Sequence, residues 1–404
     1  MFSKTLPGLI YSRLTGSMPI WTQCLALQAW RIVFISCTLL FLLTCSSVSA
    51  STFEIYFGDL HGHSSLSSDG CGDPEDYFPN AINNQLDFAA ITDHAEGMDK
   101  DTWSYVRRLA ESYNQSGFFV SFIGYEWSHH TYGHKTVLFK NDDIPDKPLL
   151  KTSPNTLWAA LSDYQVLTLP HHPAGGPAPT DWREHDPDFQ PLVEMISKHG
   201  NSEYSINNVS WELNEEDIYE PTPYYHENDG LDHSVNHAIY ERGYRIGLIG
   251  GTDNHSADPG NIDKYESCLR STVHLYKGGL TAVLARRLSR HSLWEAMNSR
   301  RTYVTSGPKI MLRFSINGEP MGSEITARRS PRIKVSATAP EGKTIEKVIV
   351  QKDGKRFWIV PVDANSVHFS EADDNYSQDT IYAVKVILTN GERAWSSPIW
   401  VDKR

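Results

Sequence analysis

The chain has 404 residues, 40% of them hydrophobic, and a formal net charge of -12. That length and apolar content exclude a disordered or fibrous protein and leave room for one large domain plus a smaller one. The acidic balance, with no basic run interleaved with aromatics, excludes nucleic acid and a broadly contacted anionic membrane as expected partners.

Residues 1–50 read as an export leader. Arg31 precedes the apolar run Ile32 to Cys45, and Val48-Ser49-Ala50 has the form of a cleavage site. The mature chain is therefore expected in the periplasm or outside a bacterial cell, with an uncleaved N-terminal membrane anchor as the alternative. Cys24, Cys37 and Cys45 fall in the leader, which leaves Cys71 and Cys268. Each follows a segment rich in metal-ligand residues, and an oxidising compartment favours a disulfide between them.

From residue 51 to residue 306 apolar runs ending in ligand-type residues alternate with helical stretches, the pattern of repeated βα units. The first run, Tyr56 to His63, carries Asp59, His61 and His63. A helix is predicted to start at Asp73-Pro74. Ala89 to His94 is the second run, ending in Asp93-His94, and a helix over Thr102 to Tyr113 follows. Phe122 to Glu126 is the third, and His134 opens a further strand to Phe139. A helix at Asn155 to Ser162 precedes Leu167 to Pro173. A long insertion around residues 200–235 is rich in aromatic, acidic and turn residues, suited to a lid or a solvated excursion. A helix over Val235 to Arg242, the run Ile246 to His255 and a helix over His291 to Arg300 complete this part. Residues 307–404 change to alternating strands linked by Asn317-Gly318, Asp353-Gly354 and Asn390-Gly391, which predicts a small β-sandwich.

The runs share one chemistry. His61 and His63 alternate along a strand, so both side chains leave one face and can grip one ion. Asp69 follows in a turn. His94 is the ligand of its pair, with Asp93 behind it as orienting partner. Glu126 has two oxygens with which to bridge neighbouring cations; Asp253 and His255 repeat the spacing of the first run. Adjacent side chains leave opposite faces of a strand, so only one of His171 and His172 is expected in the site unless the turn has already begun. No nucleophile elbow, phosphate-binding glycine loop or dinucleotide fingerprint is present.

The series Asp59-x-His61-x-His63, Ser68-Asp69-Gly70, Thr92-Asp93-His94, Gly124-Tyr125-Glu126, His172-Pro173 and Gly251-Thr252-Asp253-Asn254-His255 resembles the polymerase and histidinol phosphatase (PHP) superfamily of metal-dependent phosphoesterases, over roughly residues 54–305. Longer phrases, such as Val193 to Glu203, resemble an exported bacterial branch of it. The resemblance implies an α/β fold, a distorted (β/α)7 barrel followed by the sandwich-like C-terminal domain, and two or three divalent ions. It implies one ion on His61, His63, Glu126 and Asp253, a second on Glu126, His134 and His172, and a third on Asp69, His94 and His255. Many relatives have histidine where Asp69 stands, which shifts the expectation from zinc toward manganese or iron. Two ions sharing Glu126 would sit about 3.5–4 Å apart, and a bridging hydroxide would attack phosphorus. In that reading Glu126, Asp253 and His172 are the catalytic core. Lys198, His199 and Arg270 lie beside matched phrases and are candidate substrate contacts. The expected function is hydrolysis of a small phosphoester, monoester before diester. Amide or non-phosphorus ester hydrolysis is one alternative; a non-catalytic surface binder using the β-rich tail is the other.

Overall fold

Apolar runs without charge interruption form the first strands. β1 (Glu54–Asp59), β2 (Phe88–Ile91) and β3 (Val120–Trp127) lie side by side in parallel, with Gly58 opposite Phe88 and Ala89 opposite Ser121. The computed structural model describes residues 53–205, 219, 231–263 and 276–404; the expected leader, Cys268, Arg270 and most of the expected insertion lie outside the described residues. β2 and β3 are buried throughout, as parallel strands covered on both faces must be.

The crossovers are α1 (Tyr77–Asn83) and α2 (Lys100–Tyr113). The predicted start at Asp73-Pro74 is a 3-10 turn, Pro74–Asp76, in which the Asp73 side chain accepts from Glu75 N; the α-helix opens only at Tyr77. α2 opens at Lys100, before the predicted Thr102, because Asp99 accepts from Thr102 N and caps it. Its buried face is Trp103, Val106 and Ala110.

Beyond β3 the regular repeat gives way. β4 (His134–Phe139) runs antiparallel to β3, and β5 (Val166–His171) antiparallel to β4, with α3 (Pro154–Leu161) between them. β6 (Leu192–Ser197), β7 (Gly200–Asn201) and β8 (Gly247–Gly250) form a separate three-stranded sheet in which β6 and β8 are parallel. A π-helical turn, His237–Glu241, stands within the helix predicted over Val235 to Arg242. β9 (Leu280–Ala285) pairs antiparallel with β1, and β10 (Thr302–Thr305) antiparallel with β9; α4 (Arg290–Asn298) joins the two. The described strands therefore form a mixed α/β sheet system, and the reversals at β4 and β9 interrupt the parallel ring that a regular barrel requires. At the ligand-bearing strand ends main-chain bonds still stitch neighbours together: Asp253 N to His61 O (3.1 Å), His63 N to Asn254 O (2.6 Å), Thr92 N to Gly62 O (3.0 Å) and Glu126 N to Asp93 O (3.1 Å).

The tail is all β and continuous with this sheet. Arg393–Ser396 pairs with β10, and Thr380–Leu388, Ile345–Lys352 and Lys355–Ala364 extend the layer outward. Met311–Ile316, Arg332–Thr338 and Ser366–Ala372 make a second layer. Alternation puts Leu312, Phe314 and Val335 inward against Val348 and Val384, in a core that also takes Phe57 and Tyr303 from the α/β part. Two of the predicted turns have both central residues left-handed, Asn317-Gly318 (φ 54° and 94°) and Asp353-Gly354 (φ 51° and 75°), the backbone a tight hairpin demands. Trp395 and Trp400 are buried and Trp358 packs partly buried against the core, so these tryptophans present no exposed aromatic row.

Candidate metal centre

The stitched strand ends bring one group of side chains into an open cavity of about 430 Å3, lined by Glu126, Asp253 and histidines from five strand ends. Glu126, buried near the end of β3, is its hub. Its Oε2 lies 3.2 Å from the Nε2 atoms of both His61 and His63 and 3.6 Å from His94 Nδ1; its Oε1 is 2.6 Å from His134 Nδ1. Asp253 mirrors it from the loop after β8. Its Oδ1 is 3.1 Å from His63 Nε2, and its Oδ2 is 3.1 Å from His199 Nε2 and 3.4 Å from His171 Nε2. At the rim, half-exposed Asp69 stands 3.3 Å from His94 Nε2 and 3.5 Å from His255 Nε2.

Buried polar groups behind this layer fix the imidazoles. The Ser67 hydroxyl donates to Asp93 Oδ1 (2.8 Å) and so accepts from His63 Nδ1 (2.9 Å), which leaves His63 Nε2 as a lone pair aimed into the cavity. Asp93 thus orients His63, where the sequence pattern had paired it with His94. Asp59 holds the opposite loop, accepting from Thr252 N (3.1 Å), Thr252 Oγ1 (2.5 Å) and Gly260 N (2.9 Å). Burial pushes the Asp59 carboxyl up to about 6, against those hydrogen bonds.

The electrostatics are those of a site short of positive charge. Burial opposes ionisation of Glu126 and Asp253, yet surrounding histidines outweigh it and hold both carboxyls well below the usual range. Burial likewise opposes a charge on His94, but Glu126 and Asp69 hold its imidazole up to about 9. His61 and His63 are raised for the same reason. His172 goes the other way: burial and the neighbouring histidines push it well below its ordinary value.

Donor atoms of His61, His63, Glu126 and Asp253 lie within 4.8 Å of one another, as do those of His63, His94 and His255. Among the described residues, His63 Nε2 and His172 Nε2 are buried without a hydrogen bond. Convergent imidazole and carboxylate donors with buried lone pairs left over are the chemistry of divalent-cation ligands, so the residues fit such ions.

The sequence reading passed over two members of this site. Strand alternation points His171 away from its neighbour, but β5 ends at His171 and His172 already has φ 33°, so the turn swings both rings into the cavity, 4.0 Å apart. Glu194, a lone carboxylate in the apolar run Leu192–Ser197, is buried with Oε2 3.1 Å from His61 Nδ1 and Oε1 2.5 Å from His171 Nδ1. That isolated charge was the signal for it. Gly251 leaves room for Glu194, since a Cβ there would meet Glu194 Oε2 at 2.5 Å. Lys198 is buried beside the cavity and its N donates to Thr252 O; His199 lines the cavity. Cys71 is disulfide-bonded, and its expected partner Cys268 lies outside the described residues.

Fold and pocket together define a mixed α/β protein whose histidine and carboxylate clusters are compatible with divalent metals. The chain belongs to a family of proteins of unknown function (DUF3604), whose model matches residues 97–210 and 260–362. It is 25% identical over 340 residues to an uncharacterized protein of Chlamydia pneumoniae, covering 77% of this chain and 51% of that one. A Chlamydia trachomatis relative, also uncharacterized, is 25% identical over 339 residues, covering 76% and 50%. The chain spans about half the length of the curated relatives it matches. Among solved structures it is similar to a two-domain Bacteroides vulgatus protein containing a predicted PHP-like metal-dependent phosphoesterase (TM-score 0.43, 13% identity, 87% of this chain and 95% of that one). It is also similar to fibronectin(III)-like modules of Clostridium thermocellum CbhA (TM-score 0.17, 18% identity, 23% of this chain and 96% of that one).

Proposed function

We propose that the protein is an exported hydrolase of small phosphoesters, monoesters before diesters, that works with divalent ions held in this cavity. The observation that carries the reading is the double role of Glu126 and Asp253: each buried carboxylate turns its two oxygens toward different histidines. That arrangement suits adjacent cations sharing carboxylates. His61, His63, Glu126 and Asp253 would hold one ion; Asp69, His94 and His255 would hold another nearer the rim. Bound there, such ions supply Lewis-acid charge and lower the pKa of water toward neutrality.

The chain's own residues do the rest. Asp93 through Ser67, and Glu194 directly, lock the His63 and His61 rings so that only their Nε2 atoms face the cavity. Asp59 pins the Thr252 loop and with it the position of Asp253. His134 is partly exposed at the cavity wall, where an imidazole can pass a proton to a departing alkoxide. The cavity is open, which suits a small ester and leaves room for varied leaving groups.

A panel test decides the class. Metal-stripped protein reconstituted with Zn2+, Mn2+ or Fe2+ is offered p-nitrophenyl phosphate, bis(p-nitrophenyl) phosphate and p-nitrophenyl acetate. The proposal expects turnover of a phosphate ester that chelation stops and metal restores; turnover of the carboxyl ester alone would replace it with the non-phosphorus alternative. Export is tested separately: N-terminal sequencing of protein recovered outside the cytoplasm should begin at Ser51, and a start upstream of Ala50 in membrane-bound protein would favour an anchor.

A further inference from the structure

His172 has one nitrogen to give. Its Nδ1 lies 3.1 Å from the Gly175 carbonyl, an acceptor only, so Nδ1 carries the proton and Nε2 keeps the lone pair, buried and without a hydrogen bond among the described residues. Gly176, at φ 64°, closes that turn onto the ring; a Cβ there would sit 2.6 Å from His172 Nδ1. His171 is set the same way, since Nδ1 donates to Glu194 Oε1 and Nε2 turns to Asp253 Oδ2. His199 Nε2 approaches the same Asp253 oxygen from the hairpin between β6 and β7, at 3.1 Å. Donor nitrogens of His171, His172 and His199 all lie within 4.8 Å of one another. A lone pair facing a carboxylate oxygen is unfavourable unless a proton or a cation lies between them. The positive φ of both His172 and Asp253 shows that the chain accepts backbone strain to aim these two groups.

We infer that His171, His172 and His199, with Asp253 Oδ2, form a divalent-metal site of their own in this cavity, with Glu194 and the Gly175 carbonyl as the partners that orient it. This assignment rests on the metal-dependent reading above and departs from it at one point. The expected trio of Glu126, His134 and His172 competes for the single free nitrogen of His172, and the three-histidine set takes it. Three neutral imidazoles and one carboxylate favour Zn2+ or Co2+, whereas the Asp69 side, richer in oxygen, favours harder ions. The cavity therefore holds two chemically different kinds of position, and Asp253 rather than Glu126 is the carboxylate shared with the histidine-rich one.

The test counts and ranks metals in the full mature chain. Stripped protein is titrated with Zn2+ under chelator competition and with Co2+ by visible absorption, and bound metal is measured by elemental analysis. His199→Gln and His171→Gln are each expected to lose one Zn2+ equivalent, or to weaken it about 100-fold or more, while the other equivalents stay. Glu194→Gln should weaken the same equivalent about 10–100-fold. His134→Gln should leave it in place. Circular dichroism and thermal melts check folding; if His171→Gln does not fold, His199→Gln decides, because that side chain is partly exposed. The inference is overturned if His199→Gln keeps the wild-type complement and affinity, or if His134→Gln loses the equivalent that His199→Gln retains. Wild-type protein that takes up no metal would overturn the proposed function as well, so the two failures are told apart.

Discussion

Glu126 and His94 show how single residues set the behaviour of the centre. Removing the charge of the Glu126 carboxylate takes the hub away from His61, His63, His94 and His134 together. Glu126→Gln is expected to weaken metal binding about 100-fold or more in chelator competition, since even orienting partners of metal ligands cost about 10–100-fold. pH acts through the same contacts. A protonated imidazole cannot ligate, and the metal-free chain holds His94 up to about 9. Metal binding at pH 7.5 should therefore release protons, and affinity should climb with pH until His94 is deprotonated above about 9. Calorimetry in buffers of different ionisation enthalpy measures that release. A pH-independent affinity over this range would contradict the assignment of His94.

At the scale of elements, the tail offers a cleaner electrostatic case. Asp373 is buried beside the Thr380–Leu388 strand and accepts from Lys352 Nζ (2.5 Å), Tyr382 Oη (2.5 Å) and Asn375 N (2.9 Å). Burial alone would raise its carboxyl; Lys352 and Tyr382 outweigh it and hold the group below its ordinary value. A carboxyl depressed on folding stabilises the protein fully above its unfolded pKa of about 3.9, and that contribution is lost as pH falls through the lower folded value. Asp373→Asn should therefore cost about 1.5–3 kcal/mol at pH 7, and the gap to wild type should close in acid, as read by urea unfolding across pH. Elements are also where the sequence was most and least legible. Apolar runs gave strands and helices nearly in place, but the caps Asp99 and Ser153 went unread, so two helices begin a residue or two earlier than expected. Strand direction was not written in those runs, so the reversals at β4 and β9 came only with the structure. Strand alternation misplaces His171 because the backbone has already turned at His172, and Glu194 is signalled only by its isolated charge in an apolar run, which belongs to no repeating spacing.

For the whole molecule, the β-rich tail and the part that carries the histidine and carboxylate cluster share one sheet, one core and a buried ionic link. Residues Phe53–Arg404 form one compact unit. Just beyond β7, Glu203 meets Lys385 Nζ at 2.5 Å and accepts from Trp395 Nε1 at 3.0 Å, all three side chains buried. Lys385→Met leaves Glu203 buried without its cation and should cost about 3–5 kcal/mol. Glu203→Gln combined with Lys385→Met should recover much of that loss in denaturant melts, whereas equal losses in the single and double variants would show that the pair does not couple the two parts. Through Glu203 the tail also braces the hairpin that delivers His199, so this variant is expected to weaken metal binding as well as lower stability. The most direct check of the central claim pairs elemental analysis with p-nitrophenyl phosphate turnover on the same tag-free sample, for wild type and Glu126→Gln, before and after metal stripping. The account predicts that hydrolysis rises and falls with bound metal and that Glu126→Gln loses both; undiminished turnover in the stripped wild type, or in a metal-poor Glu126→Gln variant, would contradict it.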